Sequence, residues 1–163
     1  MILGMSVPAF TLLHVIISLV GIATGIVVVL ALMAGKRLGG WTGLFLLTTV
    51  LTSVTGFFFP SKAFGPPHVV GVLSLVILAF AIPALYAKRL AGGWRKVYVI
   101  GAIASLWFNC FVGVVQAFQK LAFFNALAPT QKEPPFLIAQ GLVLAIFVVA
   151  TVLSLRNFRP AAH

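Results

Sequence analysis

KRLGGW at residues 36–41 returns as KRLAGGW at residues 88–94. Each copy closes one long apolar run and opens another, and that placement decides how the chain is read. Lys and Arg gather on the cytoplasmic side of membrane turns, and an amphipathic indole ring settles at headgroup level. Glycine lets the chain bend between the two. Composition agrees. Of 163 residues, 62% are hydrophobic and 7% are charged, whereas a soluble domain carries about a quarter charged residues. Mean hydropathy is +1.20. Apolar runs of about 20 residues recur, long enough to cross ~30 Å of hydrocarbon.

The expected fold is all-α: a single transmembrane domain over residues 1–163, built as a bundle of five transmembrane helices. The spans fall at about 8–34, 41–59, 67–87, 97–119 and 136–155. The opening MILGMSVPAF has no basic stretch, and the first apolar run is longer than a signal-peptide core, so the first span is expected to be retained. Pro83 falls inside the third span, where neighbouring helices commonly absorb a proline.

The net charge of +10 comes from 11 Lys and Arg against a single acid. Lys36, Arg37, Lys88, Arg89, Arg95, Lys96, Arg156 and Arg159 fall on one side of the spans; Lys62, Lys120 and Lys132 fall on the other. This is a positive-inside pattern, which predicts a periplasmic N-terminus and a cytoplasmic C-terminus. It excludes a nucleic-acid partner, because phosphate-binding patches sit on soluble faces. Cys110, the one cysteine, lies inside the fourth span and reads as a small buried hydrophobe.

Upstream of each basic turn stands a histidine. His14 and His68 each precede their turn by about 20 residues, or ~30 Å of helix, which puts both at the outer edge of the hydrocarbon. The first four spans therefore read as two helical hairpins of the same direction, a parallel repeat about the membrane normal. On the fourth span Gly101, Ser105, Asn109, Gly113, Gln116 and Lys120 recur at helical spacing and share one face. Small and hydroxylated residues of this kind let helices approach and bond to one another. Ionisable residues inside spans, by contrast, mark function. Two Phe- and Pro-rich outer segments, 57–67 and 123–135, roof the same end. The second holds Glu133, expected to be a solvated partner of Lys132 or Lys120.

Three cofactor readings follow, together with one that needs no cofactor. His14 and His68 as metal ligands would hold a haem b iron from both faces, with Gln116 and Asn109 as hydrogen-bonding groups and Lys120 as counter-charge; Lys62 or Lys132 would meet propionates, although no CxxCH attachment motif is present. Each histidine would equally serve the metal of its own tetrapyrrole pigment. A quinone or other lipid-like ligand would sit between His14, His68 and Gln116 in an apolar pocket with few polar groups. A bare metal site lacks a third protein ligand. The remaining reading is a non-catalytic accessory or assembly subunit of a larger membrane complex, or a homo-oligomer held in the lipid bilayer. No classical catalytic signature is present: no nucleophile–base pair, no phosphate-cradling loop, no HExxH.

The stretches LHVIISLVGIATG (13–25), LTTVLTSVTGFFFP (47–60) and VVQAFQKLAFFNALAPTQKEPPF (114–136) resemble a family of small uncharacterised bacterial inner-membrane proteins. The likeness covers most of the chain and implies a compartment, the bacterial inner membrane, without a mechanism. The paired histidines more faintly resemble those of haem b membrane cytochromes, which would imply electron transfer. A single histidine pair and a fifth span depart from that pattern, since one outer haem does not bridge to the inner side.

Overall fold

The computed structural model describes residues 1–60 and 64–160. Among these the chain is helical throughout: α1 Val7–Met33, α2 Gly39–Gly56, α3 Pro66–Tyr86, α4 Trp94–Lys120, the short α5 Ala122–Leu127 and α6 Pro134–Asn157. Helices α1, α3, α4 and α6 are long and apolar enough to span a membrane. Helix α2 has 18 residues, and Gly39, Gly40, Gly43 and Gly56, with a run of Thr and Ser, dilute its apolar character.

Three of the helix starts lie slightly ahead of the expected span boundaries because prolines occupy their first turns. The missing proline N–H is one that a first turn leaves unpaired anyway. Pro8, Pro66 and Pro134 all take such positions. Ser6 caps α1, its Oγ accepting from Ala9 N at 3.3 Å. Helix α3 continues through Pro83 to Tyr86. The outer segment expected to be loop over 123–135 instead begins with α5.

The two basic turns, nearly identical in letters, are different in conformation. After α1, Gly35 adopts a left-handed φ of 73°; its N–H reaches Leu32 O at 3.0 Å and the Lys36 N–H reaches Ala31 O at 2.8 Å. This is the glycine-ended closure that helices favour. A Cβ on Gly35 would also lie 3.0 Å from Asn157 O. Gly39, Gly40 and Trp41 already belong to α2. The position matching Gly35 in the second copy is Ala87, which cannot supply that conformation cheaply. There the left-handed residues are Arg89, Leu90 and Gly92, Leu90 N bonds Ala84 O at 3.0 Å, and α4 starts only at Trp94.

Helix α1 packs chiefly on α2 and α3 chiefly on α4; α2 also packs on α3, and α6 lies against α1 and α4. Apolar packing concentrates toward the basic turns, where Leu32, Phe45, Leu78, Leu85, Tyr98, Leu106 and Phe158 are almost fully buried. Small residues permit the closest approaches. A Cβ on Gly25 would lie 2.6 Å from Leu106 Cδ1, and one on Gly101 would lie 2.8 Å from Ala81 Cβ. Most buried hydroxyls are satisfied within their own helix, as Thr48 is by Leu44 O and Thr49 by Phe45 O, each at 2.7 Å.

Side chains lock the basic end. Arg95 Nη1 donates to Leu155 O at 3.0 Å and to Phe158 O at 2.6 Å, satisfying carbonyls that the end of α6 leaves open. Asn157 Nδ2 donates to Met33 O at 2.8 Å, tying α6 to the end of α1.

Candidate functional site

Away from the basic turns, α2 makes polar side-chain contacts with three other helices. Ser53 Oγ meets Ser74 Oγ of α3 at 3.1 Å. Asn109 Nδ2 of α4 donates to Thr49 Oγ1 at 3.4 Å. His14 Nδ1 of α1 meets Thr55 Oγ1 at 2.7 Å.

The last contact fixes a tautomer. Thr55 Oγ1 lies 2.7 Å from Leu51 O and 3.2 Å from Thr52 O. Carbonyl oxygens only accept, so the single hydroxyl hydrogen of Thr55 goes to its own helix. In the neutral ring Thr55 Oγ1 then accepts from His14 Nδ1–H, and Nε2 keeps its lone pair. Phe59 packs edge-on to the imidazole at 5.1 Å, and Phe10 packs on Phe58 and Phe59. Ser18 Oγ donates to His14 O at 2.7 Å. Lys120, at the end of α4, is near enough to interact electrostatically with His14.

His68 has a different role. The Gly65 N–H donates to His68 Nδ1 at 3.2 Å, across the first turn of α3. That nitrogen holds the lone pair, so in the neutral ring the proton sits on Nε2. Phe64 stacks on the ring at 5.2 Å and Phe57 lies at 5.8 Å. The two histidines are thus opposite tautomers on helices that both pack on α2, and their ring contacts are with different phenylalanines.

A haem iron takes a histidine Nε2 whose Nδ1–H is held by an acceptor. His14 fits that requirement. His68, with Nδ1 accepting from the backbone, does not. Among the described residues no three His, Cys, Asp or Glu side chains come together in a way that could hold a metal ion.

The other expected site residues separate. Asn109 is buried, but its partner Thr49 lies ~9 Å down α2 from Thr55 at ~1.5 Å per residue. Gln116 is exposed on α4. Lys62 lies outside the described residues. Two other glutamines bind the end of α4, Gln131 Nε2 donating to Val115 O at 3.0 Å and Gln140 Nε2 to Phe111 O at 3.1 Å, while Gln119 of α4 donates from Nε2 to Gln131 Oε1 at 3.4 Å. Gln131 lies in a polar loop and gave no periodic signal. Phe59 falls in the Phe-rich segment 57–67, whereas nothing in the spacing singled out Thr55.

Glu133 works as a hydrogen-bond acceptor rather than the ion-pair partner the sequence led us to expect. Its carboxylate accepts from Thr130 Oγ1 at 2.8 Å, Thr130 N at 3.2 Å and Lys132 N at 3.1 Å. The Thr130 hydroxyl, aided by those backbone N–H groups, holds the acid below the usual carboxylate range.

What the fold defines is a class: an all-helical bundle in which four helices are long and apolar enough to cross a membrane. Comparison of the chain with protein-family models, with curated proteins and with solved structures finds no match.

Proposed function

We propose that the chain is a five-span inner-membrane protein, N-terminus periplasmic and C-terminus cytoplasmic, that holds an amphiphilic ring ligand of the quinol class in the outer leaflet, with His14 as its anchor. Helix α2 is the fifth span: it starts just after one basic turn and ends in the outer segment that leads to α3, so it returns the chain across the bilayer between α1 and α3. The observation that carries the ligand reading is the 2.7 Å contact between His14 and Thr55. It leaves Nε2 as an acceptor for a quinol hydroxyl. Phe58 and Phe59, both packed on the buried Phe10, supply aromatic surface for the ring, and Lys120 favours the oxygen as negative charge develops on it.

Haem b between His14 and His68 fits less well, because His68 would have to release the Gly65 N–H and change tautomer. The test is the ligand content and visible spectrum of the purified protein. The expected result is quinone extracted with the wild type, at least tenfold less with His14→Ala, and an amount within twofold of wild type with His68→Ala. A b-type haem spectrum lost in both variants overturns the reading in favour of haem. A colourless protein that retains no quinone and co-purifies with another membrane complex overturns it in favour of an accessory subunit.

A further inference from the structure

A second candidate site lies at the other end of the bundle. Helices α1, α4 and α6 leave an open cleft of ≈ 570 Å³ between them, lined by Ile26, Met33, Cys110, Ile146, Phe147 and Ala150 among others, with almost no polar surface. From Ile26 to Met33 it follows α1 for ~10 Å toward the basic turns. At its foot, Met33 O accepts from Asn157 Nδ2 at 2.8 Å. That bond brings together two exposed basic segments: Lys36, three residues beyond Met33, and Arg156 and Arg159, which flank Asn157. Arg159 Nε is itself turned onto Arg156 O at 3.2 Å. Arg95 is committed to the Leu155 and Phe158 carbonyls. The chain's one acid, Glu133, opens α6 at its opposite end.

We propose that this cleft is a binding site for an anionic phospholipid, with one acyl chain lying against Ile26, Cys110 and Ala150 and the phosphate held by Lys36, Arg156 and Arg159. Charge complementarity selects the occupant. The cleft takes any hydrocarbon chain, but its foot is cationic with no acid to neutralise it, so a phosphate carrying net negative charge is favoured over a zwitterionic headgroup. Basic pockets between helices on the cytoplasmic side recognise anionic lipid headgroups in this way. The site also welds the ends of α1 and α6, which among the described residues are otherwise joined there by the Asn157 hydrogen bond and close packing.

The test is native mass spectrometry of the protein released from vesicles of equal phosphatidylglycerol and phosphatidylcholine. Wild type is expected to retain phosphatidylglycerol at least fivefold over phosphatidylcholine. The combined variant Lys36→Gln, Arg156→Gln, Arg159→Gln should lose that preference. Lys88→Gln with Arg89→Gln, which removes charge at the same end but on the α3–α4 turn, should keep it. Ala150→Phe, which fills the cleft while leaving every charge in place, should lower total lipid retention. Equal retention of the two lipids by wild type overturns the proposal. So does an equal loss of preference in both charge variants, which marks a diffuse surface potential instead of a site.

Discussion

His14 Nδ1 and Thr55 Oγ1 meet at 2.7 Å, and with the Thr55 hydroxyl bonded to Leu51 O, the Nδ1–H tautomer is the one that satisfies both contacts. Helix α2 is therefore an orienting partner for α1 as well as a packing surface. His68, bonded from Gly65 N, is the reverse tautomer. Nitrogen-15 spectra of histidine-labelled protein should show one Nδ1–H and one Nε2–H ring for these two residues. The same tautomer at both contradicts the assignment.

Thr55→Val keeps the side-chain shape and removes the acceptor. The hydrogen bond is expected to contribute about 1 kcal/mol inside the bilayer. Ligand retention should fall by more than that stability loss implies, because the ring is then free to change tautomer. Thr52→Val, one turn away from the imidazole contact, should leave retention within twofold.

Gly25 and Gly113 make a matched pair for packing. A Cβ at Gly25 meets Leu106 at 2.6 Å and Phe45 at 2.8 Å, whereas at Gly113 the nearest atom is Ile22 Cδ1 at 3.8 Å. Gly25→Val should cost about 1–3 kcal/mol or more through overpacking. Gly113→Ala should be neutral or slightly stabilising in thermal melts in detergent.

Acid should loosen the segment before α6. The Glu133 carboxyl is held below its ordinary range by Thr130 and Lys132, so the folded value lies under the unfolded one. Its contribution is then fully present above the unfolded value and is lost as pH falls through the folded value. Protection of the Thr130 and Lys132 amides against hydrogen exchange, taken relative to the intrinsic rate at each pH, should fall on acidification. Glu133→Gln should show fast exchange at neutral pH and no further acid-dependent step.

Much of the bundle was legible in the letters. Apolar runs broken by basic glycine turns matched the bounds of the five helices of 18 residues or more to within three residues, and four of those helices are long and apolar enough to cross a membrane. The starts of α1, α3 and α6 were missed by a residue or two where prolines occupy first turns, and α2 and α4 start two and three residues early without one. The repeat was legible as letters only: Gly35 supplies a left-handed residue that Ala87 cannot, so the second turn takes another route. The site was half legible. His14 stood out as an imidazole in an apolar helix, but its partner Thr55 is distant in sequence, and a hydroxyl that usually bonds its own helix gives no sign of a second contact. Spacing put His68 and His14 at one depth. Spacing carries no information about which ring nitrogen a local backbone N–H will claim, and that is what separates the two.

Titration of the labelled protein with a short-tailed benzoquinol, followed through the histidine nitrogen-15 resonances, tests the functional account most directly. His14 Nε2 should move progressively toward the resonance of a hydrogen-bonded acceptor while both His68 signals hold still. An unmoved His14 resonance at saturating quinol, or matching shifts at both rings, contradicts it.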